Sequence, residues 1–120
     1  MNATNGWIGV DLDGTLAQYS GWVSALHIGA PILPMALRVR AWIAEGKTVK
    51  VFTARVSKNS GRATTSEIAV IRNTIQDWTE QHLGARLEVV CEKDYGMIEL
   101  WDDRAVQVVP NTGRRADGKV

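Results

Sequence analysis

Cysteine is all but missing from this 120-residue chain: Cys91 stands alone. One thiol cannot form an internal disulfide, so nothing here asks for an oxidising compartment, and its place in an apolar run predicts a buried, inert side chain. Histidine is almost as scarce, and His27 and His82 have no spacing that suggests a metal pair. No apolar run approaches the length needed to span a bilayer. The first residues, Met1 to Gly6, carry neither a basic nor an apolar stretch of the secretory kind, which makes a cytoplasmic protein with no membrane partner the expectation. Without such a signal the glycosylation-like triplet Asn2-Ala3-Thr4 carries no weight. Charge of one sign is lacking too: a net charge of +1 neither demands nor excludes nucleic acid.

What is present is ordinary for a globular chain, with 45% hydrophobic and 22% charged residues and no internal repeat. The length suits one domain, expected over residues 1–110, followed by a flexible basic tail over 111–120 with Arg114, Arg115 and Lys119. Trp7 to Leu12 reads as a first strand, nearly all apolar and therefore covered on both faces. Pro31 and Pro34 suit a helix start, Met35, Val39, Trp42 and Ile43 recur at helical spacing, and Gly46 is a natural stop. Thr48 to Thr53 gives a second strand. Thr64 to Glu67 has the pattern of a capping box, and Ile68, Ile71, Ile75 and Trp78 form an apolar stripe ending near Gly84. Leu87 to Cys91, Met97 to Trp101 and Ala105 to Val109 complete five expected strands. Strands alternating with helices predict an α/β three-layer sandwich with a Rossmann-like, mainly parallel sheet and right-handed crossovers.

In open sheets of this kind, ligands bind beyond the carboxyl ends of the strands. The residues at those ends are Asp11, Thr53 and the pair Asp102-Asp103, with Lys93 in the loop before the fourth strand. Strict alternation sends Asp11 and Asp13 to one side of the first strand unless the turn at Gly14 re-aims the second. Like charges brought together there call for a cation, since a divalent metal offsets the repulsion. Acids for magnesium, a hydroxyl and a lysine for phosphate oxygens, and a carboxylate to attack phosphorus make an inventory suited to a phosphoryl group.

These residues carry a resemblance to the haloacid-dehalogenase-like hydrolase superfamily. Its four motifs match Asp11-Leu12-Asp13-Gly14-Thr15, Thr53 in Val51-Phe52-Thr53-Ala54-Arg55, Lys93, and Asp102-Asp103 in Leu100-Trp101-Asp102-Asp103-Arg104, in the family's order and over nearly the whole chain. The resemblance implies that Asp11 is the nucleophile and Asp13 the general acid and base. It implies that Thr53 and the next backbone N–H, at Ala54, bind phosphoryl oxygens, and that Lys93 neutralises charge. Asp11, the Asp13 carbonyl and Asp102 would hold Mg²⁺, with Asp103 orienting them from behind. A bacterial receiver domain uses a similar set, but there the paired acids come first and the lysine last. Here Asp102-Asp103 follows Lys93.

The intervals Ala17 to Gly46 and Val56 to Arg86 each hold a loop and one helix, so neither can hold the cap domain of larger members. A capless phosphatase forming an aspartyl-phosphate is implied. Its substrate would be a phosphorylated small molecule, such as a nucleotide, or a nucleic-acid terminal phosphate, by similarity to deoxyribonucleotidase-like and polynucleotide 3′-phosphatase-like branches. Arg55, Lys58 and Arg62 are candidates for a second phosphate or a nucleic-acid backbone, with a solvated basic loop as the alternative, and Tyr19 and Trp22 for stacking a base, with core packing or flap rigidity as the alternative. A catalytically weak binding or regulatory module and a phosphotransferase are the alternatives, and a homo-oligomer is left open.

Overall fold

The computed structural model describes residues 6–60 and 64–120 and places four strands and two long helices in the order β1 (Trp7–Asp11), α1 (Leu33–Ala44), β2 (Thr48–Phe52), α2 (Thr65–Leu83), β3 (Glu88–Val90) and β4 (Met97–Trp101). The strands form one parallel sheet in the order β3-β2-β1-β4, with Ile8 opposite Val49, Val51 opposite Val89 and Val10 opposite Trp101. No helix among the described residues is long and apolar enough to cross a membrane.

Both helices begin for reasons written in their first turns. Pro34 supplies a pre-set φ where no intrahelical N–H bond is needed. At α2 the Thr64 hydroxyl accepts from the Glu67 N–H at 3.2 Å, and the Glu67 carboxylate accepts from the Thr64 N–H at 3.2 Å. That is the capping box the sequence predicts. The helix stops at Gly84, whose φ of +80° is the left-handed conformation a side chain would resist.

The apolar stripes then decide the packing. Met35 and Val39 of α1 and Ile68, Ile71 and Ile75 of α2 share one buried cluster with Ile8, Val10, Val49, Val51 and Val89 of the sheet. The route β1-β2-β3 runs in one direction, so crossovers of one hand put both helices on one face, and α1 and α2 touch each other there. The three-layer expectation is thereby corrected: among the described residues no helix covers the opposite face. The indole of Trp7 fills part of that face, donating to the Asp94 carboxylate at 2.8 Å beneath the Lys50 ammonium.

A fifth strand is also not formed. After β4 the Asp102 carboxylate accepts from the N–H groups of Arg104 and Ala105, turning the chain out of the sheet. Val108 then pairs with Arg115 in an isolated bridge around the positive-φ residues Asn111 and Gly113. Val106, Val108 and Val109 stay exposed, so the run that reads as a strand pairs with its own tail instead of the sheet edge. Cys91 is half-buried, its thiol 4.0 Å from the Val56 carbonyl, and less enclosed than expected.

One buried polar group joins α2 to Leu87, the residue that leads into β3. The Thr79 hydroxyl, fully shielded from solvent, donates to the Gln76 carbonyl and accepts from the Leu87 N–H at 3.1 Å. Thr79→Val keeps the shape and strands that N–H, so it should cost about 1–3 kcal/mol. The cost should appear in urea as a lower midpoint at unchanged slope. An unchanged midpoint would show that the hydroxyl contributes nothing.

Candidate active site

Strand order makes the site before any side chain is considered. The chain leaves β1 for β2 on one side and returns to β4 on the other, so the carboxyl ends of β1 and β4 flank a topological switch point. Asp11 ends β1, Asp102 and Asp103 follow β4, and Thr53 follows β2. These residues line one cleft of about 800 Å³, together with Asp13, Ala54, Arg55 and Arg104.

Asp11, Asp102 and Asp103 each offer a carboxylate oxygen within 4.8 Å of the others. Backbone geometry fixes two of them. Asp102 is held by the Arg104 and Ala105 N–H groups at 2.6 and 3.2 Å. Asp103 lies against Gly14, where a Cβ would stand 2.6 Å from a carboxylate oxygen and where φ is +87°. Glycine there serves both the turn and the approach of Asp103. The Thr15 hydroxyl reaches Asp11 at 3.3 Å and Asp103 at 3.5 Å.

Crowding shows in the acidity of Asp11. Partial burial, a hydrogen bond with Asp103 and the charges of Asp102 and Asp103 raise its pKa from the ordinary 3.8 to about 7, against a smaller opposing effect of Thr15. Burial is the largest cause, because it penalises the ionised form directly.

Asp13 goes elsewhere. The strand ends at Asp11, and the turn closed by the Leu16 and Ala17 N–H groups on the Leu12 carbonyl re-aims the second acid. Both Asp13 oxygens accept from Arg55, Oδ2 from Nε and Oδ1 from Nη2, each at 2.8 Å. The remaining terminal nitrogen of Arg55 donates to the carbonyls of Ala25 at 3.1 Å and His27 at 2.8 Å, with Ser24 at 3.5 Å. Only 6% of the Arg55 side chain is exposed. Arg55 is therefore neither a free candidate for a second phosphate or a nucleic-acid backbone nor a solvated loop side chain. It is a strut between Asp13 and the flap formed by residues 17–32. The legs of that flap are joined by bonds from Gln18 N–H to the Ala30 carbonyl and from Ile32 N–H to the Leu16 carbonyl. Trp78 of α2 anchors the flap by donating to the Gly29 carbonyl at 3.1 Å.

Thr53 is buried, and its hydroxyl oxygen accepts from the Arg55 N–H at 3.2 Å. Ala54 is exposed on the cleft wall at the start of a short 3₁₀ turn. Lys93 is exposed on the loop after β3 and is not among the residues of the cleft wall; among the described residues the cations on that wall are Arg55 and Arg104. Lys58 is exposed on a second 3₁₀ turn, Lys58–Ser60, and Arg62 lies outside the described residues. The one signal for Arg55 in the sequence is its place two residues beyond Thr53, just past the end of β2, which sets its side chain near the neighbouring strand end without naming Asp13 as its partner.

The raised acidity of Asp11 has a stability consequence whose sign follows from proton binding. The native state keeps a proton that the unfolded chain releases, so the associated stability is full below about pH 4 and is lost as pH rises towards about 7. In the absence of divalent cations Asp11→Asn removes this loss. The variant should show a flatter melting profile between about pH 4 and 7 and melt several degrees above the parent at about pH 8. Identical profiles would contradict the crowding.

Comparison with family models, with curated proteins and with solved structures finds no match to this chain, which leaves the geometry of the cleft to carry the functional reading.

Proposed function

We propose that the chain is a Mg²⁺-dependent phosphomonoesterase of the haloacid-dehalogenase-like type, hydrolysing a phosphate monoester through an aspartyl-phosphate on Asp11. The observation that carries this reading is the meeting of Asp11, Asp102 and Asp103 at the switch point of a parallel sheet.

The donor set suits a hard divalent cation. Carboxylate oxygens are the ligands Mg²⁺ prefers, three of them converge, and none is paired with a lysine or arginine side chain among the described residues. Asp11 and Asp102 would hold the ion with the Asp13 carbonyl, and Asp103 is close enough to contribute directly or through water. When bound, the ion supplies positive charge that offsets the crowded acids and the phosphate.

The remaining steps belong to the chain's own groups. A carboxylate oxygen of Asp11 attacks phosphorus as the bond to the ester oxygen breaks, and Asp13 gives a proton to the departing alcohol. Water then attacks the phosphorus of the aspartyl-phosphate, loses its proton to Asp13 and releases inorganic phosphate, restoring the Asp11 carboxylate. Thr53, and the backbone at Ala54, would bind the phosphoryl oxygens. Arg55 acts as a positioning residue: each Asp13 oxygen takes one N–H and keeps lone-pair capacity for the proton it must exchange. Charge neutralisation, which the family resemblance gives to Lys93, has a second candidate in Arg104 on the cleft wall.

Two observations favour the alternative of a catalytically weak binding module: the hold of Arg55 on Asp13, and the position of Lys93 off the wall. Phosphate release from nucleotides, sugar phosphates and 3′-phosphorylated oligonucleotides separates the two. Hydrolysis should require Mg²⁺, stop on chelation, and fall by a factor on the order of a thousand or more in Asp11→Asn. Mg²⁺-dependent thermal stabilisation without release of phosphate from any of these esters would favour the binding module.

A further inference from the structure

The cleft wall also carries aromatic and apolar residues that the chemistry at Asp11 does not use. Tyr19 and Trp22, both on the flap, line the cleft with 45% and 60% of their surfaces exposed, and Phe52 and Ile71 add apolar surface to the same wall. An aromatic ring left this open on a loop is commonplace by itself. What sets Trp22 apart is its backing. The Arg55 guanidinium lies 5.1 Å from its ring centroid. That guanidinium is fixed on both Asp13 oxygens and on the flap carbonyls of Ala25 and His27. One face of the indole thus rests on a locked planar cation, and the ring retains most of its exposure.

We infer that Trp22 is a preorganised stacking platform, and that the phosphate monoester taken by this cleft is a nucleoside monophosphate. A planar cation-backed aromatic ring on a cleft wall recognises a flat π-system, which nucleobases have and sugar or glycerol phosphates lack. The spacing makes phosphate and ring parts of one small molecule. A single guanidinium separates the Asp13 carboxylate from the Trp22 ring, so a phosphate reacting beside Asp13 lies within a mononucleotide's length of a base on Trp22. The cleft of about 800 Å³ also falls within the range of pockets that enclose ligands of this size. This assignment rests on the phosphomonoesterase reading for the position of the phosphate.

Calorimetry in the presence of Mg²⁺, with the Asp11→Asn chain used to suppress turnover, tests it without depending on hydrolysis. A nucleoside 5′-monophosphate should bind about ten-fold or more tightly than ribose 5-phosphate. Adding Trp22→Ala should remove that advantage and leave ribose 5-phosphate binding unchanged, while Trp22→Phe should retain most of it. Equal affinity for the two ligands, or equal weakening of both by Trp22→Ala, would overturn the platform. An oligonucleotide with a terminal phosphate binding more than ten-fold tighter than the mononucleotide would overturn the substrate class. If the mononucleotide binds as expected and the parent chain releases no phosphate, the esterase reading fails and the stacking site stands.

Discussion

Like charges held together at the carboxyl ends of two neighbouring strands are the constraint on which the rest of this site depends. Asp11 stands where it does because β1 is an inner strand lying between β2 and β4, and Asp102 and Asp103 because β4 joins β1 on the side away from β2. Gly14 lets Asp103 approach, and the Arg104 and Ala105 N–H groups hold Asp102 in place. The Thr15 hydroxyl and the N–H groups on Asp102 offset part of the repulsion, no lysine or arginine among the described residues pairs with these acids, and the crowding raises the pKa of Asp11 to about 7. A fold that maintains such crowding bears a cost, which a metal-dependent reaction would explain.

The second organising contact is the grip of Arg55 on Asp13. It separates the two acids of the opening motif, one turned towards Asp102 and Asp103 and the other bound to a nearly buried guanidinium. The same guanidinium ties down the flap carbonyls and supports Trp22. Acid, flap and aromatic wall are therefore linked through one side chain. Loss of Arg55 would release all three, whereas loss of Trp22 would touch the wall alone.

Much of this was legible in the order of residues, because it depends on short-range rules. The capping box at Thr64, the stripe from Ile68 to Trp78 and the glycine stop at Gly84 are local features that tertiary contacts had no reason to override. The strand ends carrying Asp11, Thr53 and Asp102 were legible for the same reason. The missing layer and the missing fifth strand were not. Periodicity reports that an element is amphipathic, not which face of a sheet it covers, and Val106, Val108 and Val109 have strand-like composition but pair with a local turn. The ion pair between Asp13 and Arg55 joins residues 42 positions apart, so no spacing rule could predict it. Lys93 matched by sequence order, yet order does not bring a loop side chain to a cleft wall.

The central claim is that Asp11 itself carries the phosphoryl group. Mass spectrometry of protein quenched during turnover with Mg²⁺ and a nucleoside monophosphate, with the acyl phosphate trapped by hydroxylamine, tests it most directly. The account predicts a hydroxamate on the peptide containing Asp11, absent when Mg²⁺ is withheld. Phosphate release with no modification at Asp11, or with the label on another residue, would contradict it.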